Sequence, residues 1–95
     1  MCTYLTEKIP ASGSAKGTGG WFHLTDTTVY FDHPVHAMVD HSLNIDFSAP
    51  AQGPGARVAV ELTAETAQAL AAAIERALAS APPELTGLLP AEPGR

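Results

Sequence analysis

Three histidines, His33, His36 and His41, fall within nine residues of a 95-residue chain, with Asp32 and Asp40 as their chain neighbours. Neutral imidazole and carboxylate ligate zinc, iron, copper and nickel, and one loop can fold several such side chains onto one ion. The expected ligands are His33, His36 and His41, with Asp32 or Cys2 as a fourth. Cys2 carries a second chemistry. If Met1 is removed, Cys2 presents a thiolate and an α-amine from one residue, a pair able to chelate a metal or act as a nucleophile. Tyr30 could supply a proton or line a pocket, so Cys2 and Tyr30 are the candidate catalytic groups. The competing readings are plain ones. Short polar loops contain histidines by chance, Asp32 could close an Asx-turn onto the backbone two residues on, and a free cysteine packs as a small apolar residue.

Two hairpins are expected to position this loop. His41 to Phe47 alternates, with Leu43, Ile45 and Phe47 on one face and Ser42, Asn44 and Asp46 on the other. Arg57 to Leu62 alternates again, with Val58, Val60 and Leu62 inward, after a run of turn residues from Ser48 to Ala56. If Phe31 and Leu43 share the core face, antiparallel pairing sets Val29 beside Ile45 and His33 opposite His41, where Cβ atoms stand about 4.5–5.5 Å apart. The spacing of His36 after His33-Pro34 suits a β-turn that returns a third imidazole to the pair. The next hairpin sets Ile45 beside Val60 and Leu43 beside Leu62. Thr63 is a good N-cap, Glu65 suits the first turn, and Ala67, Leu70, Ala71, Ile74 and Leu78 recur at helical spacing, which predicts an amphipathic helix over 64–80.

The N-terminal third is less determined. Residues 2–9 suit a strand ended by Pro10, and residues 11–20, with four glycines, suit a hairpin loop. Residues 21–32 fit either one strand bulged at Thr25-Asp26 or a tight hairpin. The first places Cys2 near the histidine rim; the second brings His23 there instead. Gly-Ser-Ala-Lys-Gly-Thr lacks the Gly-Lys-Ser/Thr order and following helix of a phosphate loop. Asp40-His41-Ser42 holds the residue types of a hydrolase triad, but adjacent strand residues point to opposite faces.

Ten acidic against five scattered basic residues give a net charge of −5. Nucleic acid is an unsuitable partner without a basic patch, and no segment has the apolar length of a membrane span or a secretory leader, so the expected location is the cytoplasm. Much of the 45% hydrophobic content is alanine, so the core is thin and a homodimer, through a sheet edge, the uncovered face or Trp21, would help. Residues 1–80 are expected to form one compact domain, and the Pro- and Gly-containing segment 81–95 to be disordered.

Met-Cys-Thr-Tyr, Thr6-Glu7-Lys8, Lys16-Gly17 to Gly20-Trp21-Phe22, Val29-Tyr30-Phe31-Asp32-His33-Pro34-Val35-His36-Ala37 and Leu43-Asn44-Ile45-Asp46-Phe47 resemble a family of short actinobacterial proteins carried as a domain of unknown function. The resemblance covers most of residues 1–80. It implies a bacterial cytosolic protein and carries over no activity, cofactor or site residue. The expected fold is α+β, a four-stranded antiparallel sheet with one C-terminal helix packed on one face. The expected function is that of a small metal-binding protein, with an action on a small molecule if the ion is catalytic. The alternatives are a non-catalytic ligand-binding or accessory protein and a metal-free enzyme with a Cys2 nucleophile.

Overall fold

The computed structural model of the chain describes residues 4–88. Four strands, β1 (Thr6–Gly17), β2 (Gly20–Asp32), β3 (Ser42–Ser48) and β4 (Arg57–Leu62), form one antiparallel sheet in chain order. Helix α1 (Ala64–Ser80) and a single helical turn, α2 (Pro83–Thr86), follow. The fold is α+β, as the alternating and helical periodicities imply. Residues 83–86 are helical within the segment expected to be disordered, because Pro83 starts the turn and Gly87, at φ 70°, ends it. No helix among the described residues is long and apolar enough to cross a membrane.

The central registers follow the side-chain pattern. Phe31 pairs with Leu43 and Val29 with Ile45, while Ile45 pairs with Val60 and Leu43 with Leu62. A slip of one residue would turn each of these apolar sets onto the polar face. Thr63 caps α1 by accepting a hydrogen bond from the Thr66 N–H at 3.1 Å, and α1 then runs over the sheet face that carries Val29, Leu43, Ile45 and Leu62.

The glycine-containing loop expected over 11–20 is instead the second half of β1. That strand continues through Pro10 to Gly17, and β2 is one uninterrupted strand. Pro10 is tolerated because β1 lies at the sheet edge, where a missing N–H need not break a ladder. The bulge lies on β1, not β2: Pro10 pairs with Asp26 and Gly13 with Leu24, so Ala11 and Ser12 face Thr25 alone. The hairpin closes at Gly17 and Gly20 around Thr18-Gly19, with Gly20 at φ 110°. Gly17 also passes so close to the β3–β4 connection that a Cβ there would lie 2.5 Å from the Gly55 carbonyl oxygen. Small residues thus mark close approach of backbones here rather than a flexible loop.

Candidate metal centre

The β2–β3 ladder ends at Asp32 and Ser42, and one further step brings His33 opposite His41. Their ring centroids are 4.4 Å apart, with the planes tilted by 32°. Asp40 holds both rings. Its backbone carbonyl accepts from Nδ1 of His33 at 2.8 Å, and its carboxylate accepts from Nδ1 of His41 at 2.7 Å. Carbonyl and carboxylate oxygens only accept, so Nδ1 carries a proton in each ring, which leaves Nε2 as the atom that can offer a lone pair to an ion. Orientation of an imidazole through its second nitrogen is the arrangement metal-binding histidines use.

His33, Asp40 and His41 each offer a ligand atom, and these atoms all lie within 4.8 Å of one another. Ligands of a tetrahedral zinc stand about 3.3 Å apart, so binding an ion here would require the side chains to rotate inward. His33 and Asp40 are exposed and His41 is half-buried. The His41 ring stacks on Phe31, with centroids 5.7 Å apart and planes 12° from parallel, and Tyr4 lies 6.1 Å from both rings. Aromatic packing therefore fixes the plane of the less exposed imidazole.

The remaining residues of the expected site fall elsewhere. His36 is outside this group. The Glu61 carboxylate accepts from the backbone N–H groups of Val35, His36 (3.0 Å) and Ala37 (2.9 Å), so this part of the loop is drawn towards β4 instead of turning back to the pair. Asp32 is also outside it; its carboxylate accepts from the His33 N–H at 2.6 Å. The expected Asx-turn fails for a chemical reason, since the residue two positions on is Pro34, which has no N–H. Cys2 lies outside the described residues. His23 is on β2, ten residues before His33, about 33 Å away along an extended strand. Asp40, which precedes β3, does reach His41, but Ser42 is fully buried and donates to Asn44 at 2.6 Å, so no triad forms.

The sheet face opposite α1 carries Tyr30, Asn44, Asp46 and Arg57. A 650 Å³ cavity lies between this face and the loop, with His33, His36 and Glu61 among its lining residues. Arg57 pairs with Asp46 at 2.8 Å. Burial, followed by the Asp46 charge, raises the Tyr30 phenol above its usual pKa. Tyr30 is therefore protonated at neutral pH, with its O–H bonded to the Asp46 carboxylate, and does not serve as a base.

Glu61 was not apparent as a site residue in the sequence. The Val35 and Ala37 N–H bonds, opposed by burial and helped by the His36 N–H, hold its carboxyl below the ordinary carboxylate range. A lowered acid pKa means that the anion's hold on the loop is complete above the ordinary range near pH 4.5 and is lost as pH falls through the lowered value. Amide exchange should show it: protection of Val35, His36 and Ala37 persists through mildly acidic pH and collapses below it, while Glu61→Gln loses that protection at neutral pH.

An antiparallel sheet under one helix, with two imidazoles and a carboxylate gathered at its end, defines a small α+β domain with a candidate metal centre. The chain belongs to a family of unknown function, DUF6295, whose model matches residues 1–87. No curated protein and no solved structure matches the chain.

Proposed function

We propose that the chain is a small metal-binding protein that holds one divalent transition-metal ion between Nε2 of His33 and Nε2 of His41, with Asp40 as the residue that orients both rings. The observation that carries this is the double use of Asp40, whose carbonyl and carboxylate orient the two rings and leave both Nε2 lone pairs for an ion. Imidazole ligands suit zinc, copper, nickel and iron(II). Two protein ligands leave coordination positions open, and the cavity beside His33 has the volume of a small-molecule site. These features support an ion that polarises a small molecule or activates water next to the open sheet face.

Metal titration of untagged protein by calorimetry tests the proposal. One ion per chain is expected. Asp40→Ala removes the carboxylate and keeps the carbonyl that holds His33, so its affinity should fall by about 10- to 100-fold without abolition of binding. Unchanged affinity in Asp40→Ala would remove the reason for assigning the ion to this group.

A further inference from the structure

Helix α1 has no buried residue, and Leu70, Ile74 and Leu78 of its apolar row remain 41%, 52% and 46% exposed. An apolar groove of 390 Å³ stays open between α1 and the floor formed by Val29, Leu43, Ile45 and Leu62. An amphipathic helix on a finished domain turns such a row inward. Here, the only buried apolar side chains among the described residues are Ala49 and Ala56. The chain has the apolar surface of a core but does not close over it.

The occupant can be argued from size and from pattern. A compact monomer of this mass exposes roughly 5200 Å² and has a radius of gyration near 12 Å. This chain exposes 7292 Å² and has a radius of 15.5 Å. The chain is thus less compact than a closed monomer, and a stable interface asks roughly 800 Å² of each partner. Residues 89–95, Leu-Pro-Ala-Glu-Pro-Gly-Arg, hold one large apolar side chain against a row of three. The row itself reads the same in both directions about Ile74, with Leu70 and Leu78 four residues to either side and Ala71 and Ala77 three. We infer that a second copy of this chain covers this face, the two α1 helices packing antiparallel about a two-fold axis at Ile74. Leu70 of each copy then opposes Leu78 of the other, and the alanines allow close approach. A two-fold interface demands this kind of self-complementarity. The inference is independent of the metal reading.

Sedimentation equilibrium on the full chain is expected to give twice 9.9 kDa at micromolar concentration. A single-chain mass up to submillimolar concentration overturns the inference and leaves the face to the chain's own ends, to lipid or to another protein. The axis is tested by Ile74→Glu and Ile74→Lys. Each alone places like charges on the axis and should weaken self-association by at least about 100-fold, and mixing the two should restore a two-chain particle. The mixing also covers a variant that fails to fold alone. Dimers that survive both substitutions, a mixture that does not recover, or dimers lost only on Trp21→Ser, which moves the contact to the β1–β2 hairpin, would each overturn it.

Discussion

Joint replacement of His33 and His41 by alanine is expected to abolish transition-metal binding, and either replacement alone to weaken it by more than about 100-fold, beyond the 10- to 100-fold typical of groups that only orient a ligand. Asp40 cannot hold an ion by itself, because a lone exposed carboxylate competes poorly with water and lacks a chelating partner. The His33 ring is exposed, so its loss should change stability little. His41→Ala also removes the stack on Phe31 and the Tyr4 contact, worth about 0.5–1.5 kcal/mol, so the melting point should fall modestly with the affinity. His36→Ala and His23→Ala should leave affinity within about two-fold, since neither residue belongs to the group. Isothermal titration of the untagged variants with zinc and nickel separates these cases.

The largest stability effect is expected at Gly17. A methyl group there meets the Gly55 carbonyl oxygen at 2.5 Å and the Phe22 ring at 3.1 Å, so β1 and the β3–β4 connection must shift apart to admit it. Overpacking of this kind costs about 1–3 kcal/mol. For a domain of this size, that is a fall in Tm of roughly 5–20 °C. Gly19→Ala is the control. A Cβ at Gly19 meets nothing within 4 Å, so thermal unfolding should be almost unaffected. Equal melting points for the two variants would show that β1 does not approach the β3–β4 connection as described.

The parts of the fold that were legible in the sequence are those where one residue's neighbours decide its place. Leu43, Ile45 and Phe47 alternate with polar residues, and Val58, Val60 and Leu62 do the same, so burial of one face determines both registers and brings His33 opposite His41. Thr63 and the spacing from Ala67 to Leu78 likewise give the bounds of α1. β1 was not legible, because Pro, Gly and Ser have local preferences for loops, and its strand form depends on an edge position and on Gly55, 38 residues away. The site divides in the same way. The histidine pair follows from the ladder, and Asp40 was in view as the neighbour of His41. His36 was misplaced because Glu61, a residue of another strand, captures the backbone of the loop that carries it. No spacing rule reports a side chain 25 positions away that binds three consecutive N–H groups. The thin core was visible as alanine content, but the half-exposed row on α1 needed coordinates.

The most direct test follows the histidine side-chain ¹⁵N resonances of untagged protein during zinc addition. Nε2 of His33 and His41 should shift together and saturate at one equivalent, with Nδ1 of both rings still protonated and the resonances of His23 and His36 unmoved. Shifts spread over all four histidines without saturation, or none at His33 and His41, would contradict a metal centre at this end of the sheet.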